Sequence, residues 1–306
     1  MKMLPKRGWL PAGLVLAVAL LPAWAAGQEK VQENKQDTAE APKGQRVFFA
    51  SHSLMWYVPT PLSEMAEAAK IKDHKMAGLQ SLGGSRTVQH WNLPDDKNKA
   101  KQALKKGEVD VFVMSPIQFP DEGIDNFVKL GLENNANMRF VVQVSWGAWD
   151  ADNQTFPKGG AQKVDRNKTL DELKKIHADN IKAAEEQADA INKKAGKKVL
   201  FLVPSAQACM TLRAKIHDKE MPGLTSQDQL FRDPISHPAP PLEALNTYLH
   251  YAVIYGKSPV GLPMPNLLKN AKKEAWDDKF NKALQEIAWE TVTGYPYSGV
   301  KVEKEK

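Results

Sequence analysis

The chain has 306 residues, 42% hydrophobic and 25% charged, the proportions of an ordinary folded protein. Its formal charge is +6, and three of the positives (Lys2, Lys6 and Arg7) precede the apolar run "GLVLAVALL", so about +3 remains beyond it. That mild balance, with Lys scattered among Glu and Asp, excludes nucleic acid as an expected partner, because no basic patch or stripe is present.

Taken in chain order, residues 1–26 have the layout of a cleaved export signal. A positive start is followed by the apolar Gly13–Leu21 run and by "PAWAAG", with Ala23 and Ala25 at cleavage spacing. The run is too short for a comfortable membrane span, and no Cys follows it for lipid attachment. The expected location is the periplasm or the medium, with no stable membrane span after cleavage; the alternative is an uncleaved anchor. Residues 27–45 are polar, lack aromatics and show no period, and read as a disordered linker. Residues 301–306 form a charged tail.

Between 46 and 300, short apolar runs alternate with amphipathic or charged ones. Strands are expected at 46–50, 76–82, 109–114, 139–146 and 198–204. The runs at 109, 139 and 198 are nearly continuous in apolar residues, as in strands covered on both faces. Helices are expected at 60–70, 95–106, 121–133, 168–195, 205–217, 241–255 and 264–291. The alternation predicts one α/β domain over 46–300, a five-stranded parallel sheet between two helix layers. No internal repeat is found.

In such sheets the ligand crevice lies beyond the carboxyl ends of the strands. Ser51, His52 and Ser53 follow the first strand; Gly83, Gly84 and Ser85 the second. Ser115 and Gln118 follow the third, and Trp146 and Trp149 the fourth. Cys209, the only cysteine, permits no internal disulfide and reads as a buried thiol on a helix face.

A serine becomes a nucleophile only with a base to take its proton and donors to hold the oxyanion. Seven histidines are available as bases. His177 and His217 lie in charged helical stretches and are expected in solvent, and His52 should diverge from its neighbour Ser53. His237 stands on a Pro-rich loop just before an amphipathic helix whose buried face is Leu242, Leu245, Leu249 and Val253. Asp233, four residues earlier, is close enough to orient its imidazole.

Three blocks then carry a family resemblance. "ASHSLMWYVPTPLSEMAEAAKI", "GGS" at 83–85 and "FRDPISHPAPPLEALNTYLHYAVIYGKSPVG" resemble the first, second and final blocks of the SGNH, or GDSL-type, hydrolases, in order, through most of 46–261. The resemblance implies a flavodoxin-like α/β/α sandwich without metal or organic cofactor. It makes Ser53 the nucleophile, His237 the base and Asp233 its orienting carboxylate, with the N–H groups of Ser53 and Gly84 facing the oxyanion. The chain departs from the pattern in three places. Ser51 stands where a Gly is usual. Three residues, not two, separate Asp233 from His237. "VMSPIQFP" replaces the Gly-x-Asn-Asp block, leaving Ser115 or Gln118 to substitute for the Asn donor.

Each residue also has a structural reading. Ser53 caps the following helix or satisfies a turn, and Asp233–His237 is a loop hydrogen bond. His90 packs or is solvated rather than reaching the crevice. Arg86 makes a surface salt bridge. Trp56, Trp91, Trp146 and Trp149 form either a sugar platform, with His90 beside it, or part of the core. The Lys-rich stretch 97–106 is a solvated face. No metal-ligand spacing and no phosphate loop is found. The expected function is an exported serine hydrolase cleaving an ester, an O-acyl group on a carbohydrate being one candidate. The alternatives are an inactive module of the same fold that binds a glycan or an exported protein, and, less well supported, a phosphoester hydrolase. The sequence does not specify the oligomeric state.

Overall fold

Five strands, β1 (Arg46–Ser51), β2 (Lys75–Ser81), β3 (Val111–Met114), β4 (Arg139–Gln143) and β5 (Leu200–Val203), pair in parallel in the order β2-β1-β3-β4-β5 in a computed structural model. It describes residues 43–150 and 164–301. The expected signal, nearly all of the expected linker and residues 302–306 of the tail lie outside the described residues.

Alternate residues of each strand enter opposite cores. Val47 and Phe49 of β1, Val111 and Val113 of β3 and Val141 of β4 belong to one. Phe48, Ala50, Phe112, Met114, Phe140 and Val142 belong to the other. Two buried faces leave polar residues only at the strand ends, such as Ser51 and Gln143, so the sequence shows nearly continuous apolar runs instead of alternation. The first core is closed by α1 (Pro59–Ala68), α6 (Ser205–His217), α7 (Pro240–Tyr255), α8 (Asn266–Lys269) and α9 (Asp278–Gly294). The second is closed by α3 (Lys99–Lys105), α4 (Glu122–Asn134) and α5 (Leu170–Ala195). This is the expected three-layer α/β/α sandwich. The strand order is the flavodoxin-like one, in which the chain switches direction between β1 and β3 and opens a crevice beyond their carboxyl ends.

Several helices differ from expectation. The stretch 95–106 is not one helix: α2 (Thr87–Trp91) forms earlier, and Pro94 separates it from α3. The expected helix 264–291 breaks between α8 and α9, where Lys272 has a positive φ of 49° and Asp277 caps α9 by accepting from the Phe280 N–H at 2.9 Å. The helix α7 has no solvent face, because every residue from Pro241 to Tyr255 is buried between the sheet and α1, α6 and α9. On α5, the buried positions Leu173, His177, Asn180, Ala184, Ala188 and Ile191 fall at helical spacing. His177 is therefore inside, contrary to the solvated position expected for it. Burial, then the nearby Arg213 charge, pushes its pKa down to about 4. Cys209 is buried, and burial pushes its thiol up to about 12.

The contact of α2 with α4 fixes the loop that follows β2. Asp121 caps α4 through Gly123 N–H (2.9 Å) and also accepts from the N–H groups of Thr87 (2.5 Å) and Val88 (2.9 Å). Gly123 packs directly on the backbone of Thr87 and Val88, where a Cβ would collide. Gly123→Ala is expected to destabilise the fold by about 1–3 kcal/mol through overpacking, read as a lower Tm. An unchanged Tm would mean that the two helices slide apart freely.

Candidate active site

At the end of β1 the chain coils at once. The N–H groups of Met55 and Trp56 both donate to the His52 carbonyl (3.0 and 3.1 Å), and Pro59 then opens α1, where its missing N–H is harmless. His52 fastens this turn to the neighbouring strand's loop, because its backbone N–H donates to Ser115 Oγ at 3.1 Å. Its Nδ1 accepts from the Leu54 N–H at 3.2 Å, which leaves the ring proton on Nε2. Burial pushes its pKa down to about 4, so the ring is neutral at physiological pH. Nε2 is sealed from solvent, with the Pro116 backbone as the polar group facing the ring. The half-buried Ser53 is held at the tip of this turn.

The loop between Leu230 and α7 approaches from the other side. It is drawn into a narrow hairpin by Arg232 N–H to the His237 carbonyl and Ala239 N–H to the Leu230 carbonyl, each 2.8 Å. Ser236 turns its apex with a φ of +77°. Asp233 accepts twice from His237: from the backbone N–H at Oδ1 (3.2 Å) and from ring Nδ1 at Oδ2 (2.6 Å). Burial pushes the Asp233 carboxyl up, but these His237 contacts together outweigh it and hold the group below the usual carboxylate range. An ionised Asp233 only accepts, so Nδ1 carries the proton and Nε2 offers its lone pair. Nε2 lies 2.8 Å from Ser53 Oγ. Hydroxyl, imidazole and carboxylate thus stand in the order that serine nucleophiles require.

Behind the hairpin lies a charge cluster that the sequence reading missed. Asp150 accepts from Arg166 (3.1 Å) and, through both oxygens, from Arg213 (2.8 and 2.7 Å), all three side chains at most 3% exposed. Arg166 also donates to Ser236 Oγ (2.9 Å) and to the carbonyls of Asp233 (3.0 Å) and Pro234 (3.1 Å). The Trp146 indole N–H donates to the Ser236 carbonyl at 2.9 Å, and Phe231 lies under both guanidiniums. The hairpin is clamped by its backbone. The one signal in the sequence is Arg213 itself, set among Cys209, Leu212 and Ile216 on α6, where a charge is almost never buried unpaired.

Among the described residues this cluster holds two cations and one anion, so its members are not equivalent. Asp150→Asn leaves two buried guanidiniums facing each other and is expected to cost about 3–5 kcal/mol. Arg166→Met leaves a balanced Arg213–Asp150 pair and is expected to cost clearly less. Urea melts of the two variants compare them directly; equal losses would contradict the charge count.

A cleft of about 240 Å³ opens beside Ser53, lined by Leu54, Gly84, Ile117, Trp146 and Trp149 among others. Gly84 reaches it from a turn with a φ of +57°. Of the residues expected to assist, Ser115 is buried with its Oγ taken by His52 N–H, and Ile117, not Gln118, lines the cleft from that loop. Trp146 is buried in the cleft wall, and Trp149 lines it. Trp56 is 47% exposed and outside the lining. The structure does not bring His90 or Trp91 to the cleft. His90 is buried between Ser85 Oγ (2.9 Å) and the Gln80 amide (3.2 Å). Trp91 meets Phe127 edge-on, with Lys101 Nζ 4.4 Å above its ring. Trp91 packs on the second core, because α2 turns its apolar side to α4, while His90 ties α2 to β2 and the loop after it. Lys101 is correspondingly less solvated than a free Lys-rich face predicts, at 16% side-chain exposure. Arg86 pairs with Glu122 at 2.8 Å, as a surface salt bridge. Among the described residues no group of His, Cys, Asp and Glu is placed to hold a metal ion, and no helix is long and apolar enough to cross a membrane.

No family model matches the chain, and no curated protein matches it. Two solved structures resemble it. A presumptive SGNH hydrolase from Slackia heliotrinireducens is 19% identical, covering 68% of this chain and 98% of its own, with a TM-score of 0.43. A DUF4886 family protein from Bacteroides uniformis is 14% identical, covering 83% of this chain and 96% of its own, with a TM-score of 0.51. At that identity the likeness is one of fold, and the α/β/α sandwich described above is the fold that this chain has in common with the Bacteroides uniformis protein.

Proposed function

We propose that the chain is a serine hydrolase that cleaves an ester through an acyl-enzyme. The observation that carries this reading is the line from Ser53 Oγ to His237 Nε2 (2.8 Å) and from His237 Nδ1 to Asp233 Oδ2 (2.6 Å), at the mouth of a cleft at the sheet's switch point. Ser53 Oγ attacks the acyl carbon while its proton passes to His237 Nε2. The oxyanion forms against the N–H groups of Ser53 and Gly84. Collapse expels the alcohol, which takes the proton back from His237. Water, deprotonated by the same ring, then releases the acid and restores Ser53. Asp233 stays ionised throughout and stabilises the imidazolium.

The Asn that would be the third oxyanion donor is missing from the sequence, and among the described residues neither Ser115, which is buried, nor Gln118 lines the cleft to replace it. Losing one such donor costs about 10²–10³ in rate, so slow turnover is part of the reading. The same gap favours a second reading, a binding module of this fold that holds a glycan or an exported protein. A fluorophosphonate probe separates them. Labelling is expected at Ser53, located by peptide mass spectrometry, and lost in Ser53→Ala. An intact protein that neither labels nor turns over any ester of a broad panel would overturn the hydrolase. Export through residues 1–26 belongs to the proposal, as does an O-acylated carbohydrate as one candidate alcohol. N-terminal sequencing of secreted protein tests the first of these.

A further inference from the structure

We infer that the cleft beside Ser53 is an acyl-chain pocket, and that the substrate is an ester of an apolar acid of about six to eight carbons rather than an acetyl ester. This rests on the serine-hydrolase reading for its chemistry, though not for its binding. Among the described residues most of the wall is apolar, from Leu54, Ile117, Trp146, Ala148, Trp149 and Ile235, with His52, Ser53, Gly84 and Ser145 completing it. The indole N–H of Trp146 is already spent on the Ser236 carbonyl. Among the described residues the other hydroxyl in the lining besides Ser53 is Ser145, nearly buried, whose Oγ accepts from the Gln143 amide at 2.6 Å and keeps only its O–H to offer. Sugar hydroxyls would therefore find few partners among the described residues, and each one buried unpaired weakens binding. A methylene chain loses nothing there.

Size gives the chain length. An apolar cavity of about 150 Å³ holds a benzene ring. At about 240 Å³ this one takes such a group with room for a few more carbons. The mouth points the same way. Ile235, two residues from His237, keeps 41% of its surface in water at the rim, which extends the apolar wall outward along the path of a chain.

The test is a ladder of methyl esters, from acetate through butanoate, hexanoate and octanoate to decanoate, followed by proton release so that no aromatic alcohol competes for the cleft. Each buried methylene contributes about fourfold, so kcat/KM is expected to rise on the order of 10²-fold from acetate to hexanoate and to level or fall by decanoate. The same ladder is run for binding to Ser53→Ala, read by tryptophan fluorescence. Ala148→Leu, which fills the cleft, should move the optimum to a shorter acid, and Ile117→Ala should move it to a longer one. A flat ladder, or one best at acetate, in both turnover and binding would overturn the inference. A steep binding ladder without turnover would support the pocket and count against the hydrolase.

Discussion

Ser53→Ala is expected to lower kcat for the preferred ester by roughly 10⁴–10⁶-fold, with KM little changed and the fold intact. The size follows from the proposed division of labour, in which the Ser53 hydroxyl supplies the attacking oxygen; no other hydroxyl lies within 2.8 Å of the His237 ring among the bonds described. His237→Ala should cost about as much, because hydroxyl and base act as one unit, and the double variant should be scarcely worse than either single one. Asp233→Asn should cost about 10⁴-fold, since an amide facing Nδ1 favours the tautomer with its proton on the wrong nitrogen. Stability should hardly register the serine change, which removes one half-buried hydrogen bond worth about 1 kcal/mol. Retention of more than a hundredth of the activity in Ser53→Ala would remove it from the nucleophile's position.

Stability is expected to collapse between about pH 6.5 and pH 4, ahead of ordinary carboxylate titration. His52, His90, His177 and His250 are all buried, and burial pushes each pKa down to about 4. An unfolded histidine takes its proton near pH 6.5. Over that window the unfolded chain therefore binds protons that the folded chain refuses. Stability is fully present above pH 6.5, falls as pH drops towards 4, and changes no further from this source below it. Each group contributes a slope of up to about 1.4 kcal/mol per pH unit. Even a fraction of the combined effect is large against the usual 5–15 kcal/mol of a folded domain. Urea melts at pH 7.5, 6.5, 5.5 and 4.5 measure it. A midpoint that stays constant from pH 7.5 to 5 would mean that these rings gain partners or water on protonation.

Much of this could be read from the residues, for physical reasons that differ by element. The inner strands were legible because burial on both faces writes an unbroken apolar run. The Asp233–His237 loop announced itself through its prolines. His177 misled because Lys174, Lys175 and Asp179, its neighbours in sequence, point to the other side of α5, whereas Leu173 and Asn180, one turn away, share its buried face. His90 and Trp91 misled because a position after a strand says nothing about which way a short helix turns. The Asp150 cluster was out of reach for a different reason. Its partners are 16 and 63 residues away, and no local pattern encodes so distant a pairing.

The complete burial of α7 bears on how the chain can be made. Val47 and Phe49, near the beginning of the sheet, share a core with Leu284 and Ala288 of α9, with α7 lying among them. A growing polypeptide cannot close that core until α9 has emerged from the ribosome, and contacts so far apart in the chain assemble slowly. Until then the nascent molecule stays open, which is the state that the proposed export would need.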